Sequence, residues 1–525
     1  MARMRVAGRP GDPMNHALCN TCQKLVDARV EQRGDKVFLA KDCPDCGATE
    51  TLISGDARRY FDKRELDAGC EGQVCKLNCT VCRHKQHPTL IFIDITNRCN
   101  LNCPICINNT PAMGFVFNPP LGYFDRVFAG LAAMDPKPTV QLFGGEPTVR
   151  RDLFEIIGLC RKHGLRVRIV TNGIKLADRD YCRRICDAKV PVLLGCDGLG
   201  PEIYERLRKN PGAGEKKQRA LENLAELSTR KNTVMVCVAR KINDHKIREL
   251  IDFIHDRRHA FDAIHLIPLT ETWEEGEFET DIATTTEDVE QIVDAAFPDE
   301  RIEFLPAGIG HQFRHVFPFF GEARLTFGGV HPNCESMTLL FSDGERYHGI
   351  SHYLRRPLDE VAEEAVRIAQ RIAPRLERLD PRRWLSRWRG RLAVVRAFVG
   401  LARRSVQWGA VFQGNSVLAV LKILVGLAIG RRAKDLFRKH TRVVDALRMI
   451  VLPFEEYHSI DGARLVNCTA GFAFEDPDSG EVRTIPVCSF SLYKTELQRK
   501  IAAKYAREAD EALAEEAETA GAPSN

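Results

Sequence analysis

The sequence predicts an α/β fold: a partial (βα)6 barrel, preceded by an N-terminal cysteine ribbon and a second cysteine-rich segment, and followed by a C-terminal α+β domain. Three observations predict it. Six apolar runs rich in β-branched residues alternate with helix-length stretches between residues 90 and 267, the pattern of successive parallel βα units. Two Cys-x2-Cys pairs precede this series, and further cysteines crowd into short stretches just ahead of it and just after its first strand. Finally, 525 residues give material for several domains, at roughly 100–200 residues each.

The strands of the series are "LIFIDIT" (90–96), "TVQLF" (139–143), "RVRIV" (166–170), "PVLLGC" (191–196), "TVMVCV" (233–238) and "AIHLI" (263–267), with helices expected over 152–163, 178–188, 216–230 and 244–258. Short unbroken apolar runs read as strands buried on both faces. Six such units close only part of a barrel, and sites in such folds sit at the C-terminal strand ends.

In the first 50 residues "CNTC" (Cys19, Cys22) and "CPDCG" (Cys43, Cys46) flank the strand-like "KVFLA". Two knuckles at this spacing predict a four-thiolate tetrahedral site. Zinc and a single iron fit it equally, and the sequence alone does not choose.

Next come Cys70 and "CKLNCTVC" (Cys75, Cys79, Cys82), then "CNLNCPIC" (Cys99, Cys103, Cys106). Thiolates packed into a short irregular loop suit an iron–sulfur cluster. The copies differ in one respect: Cys70 could ligate a fourth iron of the earlier one, whereas the later set has three cysteines and leaves one iron open, as a catalytic metal position requires. The later set also follows a buried strand directly.

Together "CNLNCPIC" after the first strand, "GGEP" (Gly144, Gly145, Glu146, Pro147) after the second, "TNG" (Thr171, Asn172, Gly173) after the third and "GCDG" (Gly195–Gly198) after the fourth resemble the radical S-adenosylmethionine (SAM) superfamily over roughly residues 88–270. The resemblance implies a radical SAM barrel in which SAM chelates the open iron and is cleaved to a 5′-deoxyadenosyl radical, with a reductant such as flavodoxin or ferredoxin supplying the electron. It also implies cofactor-binding roles: Gly144 and Gly145 for close backbone approach to SAM, Glu146 as acceptor for its ammonium, and Asp197 within reach of the ribose. Pro147, Thr171 and Asn172 belong to the same strand-end motifs.

The wider layout, with "HPNCESMTLLFSDGERY" (331–347) and "IPVC" (485–488), is similar to the branch containing archaeal tetraether lipid synthase and the pterin-linked radical SAM methyltransferases. No spacing rule joins Cys334, Cys468 and Cys488, but this resemblance implies that they hold a third [4Fe–4S] cluster beside the two expected at Cys70–Cys82 and Cys99–Cys106. The branch has a cysteine where this chain reads "HKQHPT", so Cys70, or else His84 or His87, completes the earlier cluster. Cys160, Cys182, Cys186, Cys196 and Cys237 read as core thiols.

Composition limits the partners. The start "MARMRVAGRPGDP" has no signal-like apolar run, and nothing reaches the roughly 18 apolar residues of a membrane span, so a cytoplasmic protein is expected. The net charge of +5 has one source: residues 371–404 carry eleven Arg against Glu377 and Asp380. The following "VLAVLKILVGLAIG" (417–430) is too short to span a bilayer. Beside Arg, Trp384, Trp388 and Trp408 it reads either as an interfacial helix on anionic lipid at the inner membrane face or as a buried helix of the C-terminal domain. Basic residues that run into apolar sequence, with few interleaved aromatics, argue against nucleic acid. The substrate expected is a lipid hydrocarbon chain undergoing coupling or methylation, with a soluble pterin-like molecule as the alternative. The domains expected are a ribbon at 1–60, a cluster segment at 61–87, the radical core at 88–290, a C-terminal auxiliary-cluster and substrate domain at 291–500, and an acidic tail at 501–525.

Overall fold

The computed structural model of the chain describes residues 15–66, 74–79, 87–108, 110, 113–270, 278, 280, 282–321, 327–412, 414–429 and 431–506. Cys70, Cys82, His84 and the expected tail beyond 506 lie outside the described residues. The ribbon is a four-stranded antiparallel meander of β1 (Asn15–Leu18), β2 (Leu25–Arg33), β3 (Lys36–Cys43) and β4 (Gly47–Ser54). Along β2, Val26, Ala28 and Val30 alternate inward at the strand period of two.

The six predicted strands are present as β5 (Leu90–Thr96), β6 (Thr139–Gly144), β7 (Arg166–Thr171), β8 (Val192–Gly195), β9 (Asn232–Val238) and β10 (Phe261–Pro268), all parallel and paired in chain order. Every residue of β5 is buried, Asp94 included, which accounts for its otherwise apolar composition, because both faces of such a sheet are covered. The helix Ile247–Asp256 turns Ile247, Leu250, Ile251 and Ile254 inward at helical spacing. The expected helix at 216–230 starts three residues earlier, at Ala213, because Ala213 and Gly214 pack into the core, Gly214 against the Tyr204 ring.

The remaining strands are β11 (Leu305–Pro306), β12 (Ser336–Ser342), β13 (Tyr347–Gly349), β14 (Asp445–Val451), β15 (Ala470–Glu475) and β16 (Val482–Pro486). They were expected in a separate α+β domain, yet they extend the same sheet. β14 adds in parallel to β10 and β15 in parallel to β5, and antiparallel β12 and β16 follow outside them. The physical reason is that a partial barrel leaves two open strand edges, which need pairing partners. Between β13 and β14 lie the helices Leu358–Glu377, Trp384–Ser405, Ser416–Ala428 and Ala433–His440.

A buried charge cluster fastens the ribbon's trailing helix, Ala57–Leu66, to the core. Lys63, with no exposure, bonds Glu287 and lies 3.1 Å from Glu290, and Arg59 bonds Glu290 at 2.6 Å. Removing one partner of such a set strands the others in low dielectric, a cost of about 3–5 kcal/mol. Lys63→Ala is expected to lower the thermal unfolding midpoint clearly. Adding Glu287→Gln to it should recover part of that loss, since Glu290 keeps Arg59 as its partner, and a midpoint indifferent to Lys63→Ala would show the cluster to be dispensable.

Candidate functional site

The loop after β5 brings Cys99, Cys103 and Cys106 to the wall of one cavity at the C-terminal ends of the parallel strands, where Gly144, Gly145, Glu146, Thr171 and Asn172 also face it. Two glycines fix this loop. Gly145 donates its N–H to Thr96 O at 2.6 Å and Glu146 donates to Arg98 O at 2.8 Å. A Cβ on Gly145 would sit 2.2 Å from Arg98 O, and one on Gly144, whose φ is +124°, 2.2 Å from Thr96 O. The close approach expected toward SAM is, in the protein itself, an approach to the stem of the cysteine loop.

Glu146 is buried and holds strand ends together: Oε1 accepts from the Thr148 N–H, the Thr148 hydroxyl (2.6 Å) and the Thr171 hydroxyl (2.6 Å), and Oε2 accepts from the Asn172 N–H at 2.7 Å. Four donors thus converge on this carboxylate, three on Oε1 and one on Oε2, and the residue lines the cavity wall. Pro147 is buried and opens the short turn Pro147–Val149 beneath it. Asn172 reaches back to the cysteine loop, donating to Asn100 Oδ1 at 2.8 Å.

Asp197 is engaged within the protein itself. It is 1% exposed, both of its oxygens receive the Arg208 guanidinium at 2.8 and 2.9 Å, and Oδ1 also takes the Cys237 N–H at 3.0 Å. Although burial opposes it, Arg208 holds the Asp197 carboxyl below its usual range. The group that lines the cavity is Arg208, positioned by Asp197 beside Cys103. Lys217 lines it as well, donating to Asn172 O at 2.8 Å and to Gly195 O. Sequence reasoning missed both cations. For Lys217 there was a signal, a lysine inside the apolar stripe Ala213, Lys217, Ala220, Leu224. Arg208 ends its helix as ordinary C-terminal cations do.

Of the five cysteines read as core, Cys160, Cys182, Cys186 and Cys196 are buried, whereas Cys237 lines the cavity from β9. Burial pushes the Cys99 thiol up to about 11 and also raises Cys103, where Arg208 pulls in the opposite direction. A metal binding there must expel protons from thiols that are otherwise neutral.

The other cysteine sets lie outside the wall of this cavity, and two of them adjoin, since Cys75 and Cys488 pack against one apolar cluster of Leu18, Leu77, Ile460 and Leu465. In the ribbon, the four sulfurs of Cys19, Cys22, Cys43 and Cys46 lie within 4.8 Å of one another, the arrangement of a single tetrahedral ion. The N–H groups of Cys22 and Thr21 draw Cys19 down to about 6. Cys75 and Cys79 lie on a segment stitched to the C-terminal part, with Cys75 N–H donating to Gly462 O at 3.0 Å and Cys79 donating to the Ser489 hydroxyl at 3.3 Å. Cys75 is lowered to about 6 by the neighbouring Cys79 thiol. Cys334, Cys468 and Cys488 gather about one buried polar pair: Arg464 donates to Cys334 Sγ at 3.5 Å and pairs with Glu455 at 3.2 Å, the Glu455 N–H donates to Cys488 Sγ at 3.4 Å, and Cys468 lies within the field of Glu455. Burial pushes Cys468 up to about 12 and Glu455 up to about 8.

The family model of the radical SAM superfamily matches residues 93–254. Those residues are a radical SAM domain. The model described as the HMPTM N-terminal zinc ribbon domain matches residues 15–55, which gives the four-cysteine ribbon its metal class. Among curated relatives, the 7,8-dihydro-6-hydroxymethylpterin dimethyltransferase of Methanocaldococcus jannaschii is 32% identical over 49% of this chain and 53% of its own. The AdoMet-dependent heme synthase of Methanosarcina barkeri is 34% identical over 26% of this chain and 39% of its own. Streptococcus suis SuiB bound to S-adenosylmethionine matches with a TM-score of 0.29 at 18% identity, covering 40% of this chain and 44% of that one. The chain spans about half the length of the curated relatives it matches. The radical SAM domain takes SAM and a [4Fe–4S] cluster, and its residues fit them: three thiols on one cavity wall, with the Glu146 carboxylate and two cations lining the same space.

Cys99→Ala is expected to abolish reductive SAM cleavage, read as 5′-deoxyadenosine, while a Cys75→Ala, Cys79→Ala variant retains it. Cys334→Ala, Cys468→Ala, Cys488→Ala should also retain it, yet lose about four irons per chain, one cubane's worth. Cleavage that survives Cys99→Ala and disappears with Cys75 and Cys79 would reverse the assignment.

Proposed function

We propose that this chain functionalises an unactivated carbon of a lipid hydrocarbon chain, by carbon–carbon coupling or methylation. When bound, the cluster and SAM supply a 5′-deoxyadenosyl radical able to take hydrogen from such a carbon. The supporting observation is the apolar continuation of the cavity. Beyond the cysteine loop its wall passes through Phe92, Phe143 and Phe454, which also line an adjoining pocket with Phe472, Phe490 and Cys488, where Asn108, Glu455 and Lys494 are the polar members of a mostly apolar lining. Phe472 stacks on Phe490 with centroids 4.2 Å apart. Such walls offer a hydrocarbon dispersion contacts and exclude water, which protects a carbon radical from side reactions. Cys488 is among the residues lining the adjoining pocket, so Cys334, Cys468 and Cys488, if they hold a third cluster, would place its redox chemistry beside the substrate space.

On this reading the C-terminal helices meet a membrane surface. Among the described residues no helix is long and apolar enough to cross one. In the helix Ser416–Ala428, Ala419 and Ile423 pack inward with Phe412 and Leu436, whereas Val417, Leu421 and Val425 repeat every four residues on the exposed side. Trp384 and Leu385 are also exposed, at 76% and 61%. Apolar groups flanked by arginines match an anionic interface.

A second reading has a specific basis. The Methanocaldococcus relative is named a pterin dimethyltransferase, and methylation of a soluble pterin-like substrate uses the same radical site. The two readings separate with one isotope experiment. Incubated with vesicles of perdeuterated anionic lipid, SAM and reductant, the enzyme is expected to release deuterated 5′-deoxyadenosine and to sediment with the vesicles in a salt-sensitive manner. Reversing the charges of Arg382, Arg383, Arg387 and Arg389 should weaken sedimentation. Undeuterated product from the vesicles, together with methylation of an added reduced pterin, would overturn the lipid reading in favour of the second.

A further inference from the structure

At the sheet edge formed by β11, β12 and β13, away from every cysteine set, two histidines and two carboxylates converge. His348, on β13 and only 6% exposed, directs Nε2 to Asp343 Oδ2 at 3.1 Å and Nδ1 to Glu300 Oε1 at 3.2 Å. The His352 ring, four residues on, lies against it with centroids 4.4 Å apart and planes inclined by 24°. A nitrogen from each ring and a Glu300 oxygen all fall within 4.8 Å of one another, and the His352 side opens to solvent.

The carboxylates are not equivalent. Asp343 is fixed as an acceptor by the backbone N–H groups of Glu345 and Arg346, at 2.9 and 3.0 Å. It therefore favours the tautomer with hydrogen on Nε2, and Nδ1 then presents its lone pair toward Glu300. Glu300 is braced separately, its Oε2 accepting the Gly349 N–H at 3.0 Å. A carboxylate that holds one imidazole nitrogen while the other faces a second oxygen is the arrangement by which metal-binding histidines are oriented. The 3.2 Å between Nδ1 and Oε1 matches the edge of a tetrahedron with bonds of about 2.0–2.1 Å.

We propose that Glu300, His348 and His352 bind one divalent cation of the zinc class, with Asp343 as the positioning residue and the fourth position open to water. Two imidazoles and one carboxylate select zinc over calcium or magnesium, which take oxygen ligands. The ion ties the segment before β11 to the β12–β13 hairpin and the turn after it, pinning the outer edge of the sheet. In the sequence the ligands are separated by 48 residues, and only "HGISH" (348–352) hints at them.

The test uses the full chain with ribbon and clusters already loaded and its iron and zinc counted. Zn2+ alone is then titrated under anaerobic conditions, and a Co2+ titration supplies the d–d spectrum. One further equivalent is expected, with a rise in thermal midpoint. His352→Ala, at an exposed position where folding tolerates the change, should lose that equivalent, and Asp343→Asn should weaken it about 10–100-fold while leaving all three ligands in place. Iron content should stay unchanged in both. Equal binding by the parent chain and His352→Ala, or loss of the extra equivalent only when ribbon cysteines are changed, would overturn the proposal and leave His348 as a histidine ion-paired between carboxylates.

Discussion

The contact between the Gly144–Gly145 pair and the backbone of Thr96–Arg98 is the constraint on which the site depends. It is made twice over by hydrogen bonds and admits no side chain at either glycine. Through it the end of β6 sets the height at which the cysteine loop leaves β5. Glu146 then carries the same geometry sideways to β7 through Thr171 and Asn172. A loop of otherwise irregular backbone is thereby placed by three neighbouring strands rather than by its own conformation.

Buried charge serves the same end. Around the cavity, Asp197 holds Arg208, Lys217 ties the ends of β7 and β8, and Lys494 bridges Asp94 and Asn108 at 2.8 and 2.5 Å. Asn108 in turn donates to Gly144 O. Ionised groups out of water are expensive unless every one has a partner, so these sets have few alternative arrangements. The result is a preorganised polar rim around an otherwise apolar cavity, the division of labour that a site handling a reactive carbon requires.

Much of this was legible in the sequence, and the limits have physical causes. Buried strands announce themselves by short stretches rich in β-branched and apolar residues, so β5 to β10 were readable to within about two residues at each end. Thiolate spacing made the ribbon and the cysteine loop equally plain. The bracing contacts of Glu146 and Asp197 were not readable, because a carboxylate in a motif carries no local sign of the neighbours it also holds. The joining of β14 and β15 to the edges of the sheet was hidden by sequence distance, since no local pattern records which edge a strand will choose. The helix at 417–430 was ambiguous for a reason the structure makes concrete: its apolar residues go all round, one side covered by Phe412 and Leu436 and the other bare.

The order in which the sheet is completed bears on how the protein is made. A chain emerges from the ribosome N-terminus first, so β5 to β10 and the cysteine loop are available long before β14, β15 and Lys494 exist. During that interval both edges of the parallel sheet are unpaired and the end of the cysteine loop lacks its Lys494–Asn108 fastening. The nascent enzyme therefore passes through a stage in which its thiols are open to cluster delivery and its strand edges are open to aggregation. β14, β15 and Lys494, spread over residues 445–494, then close both. Cluster loading and protection from misassembly thus compete for the same window in biogenesis, and truncation near the C-terminus would damage a site formed almost four hundred residues earlier in the chain.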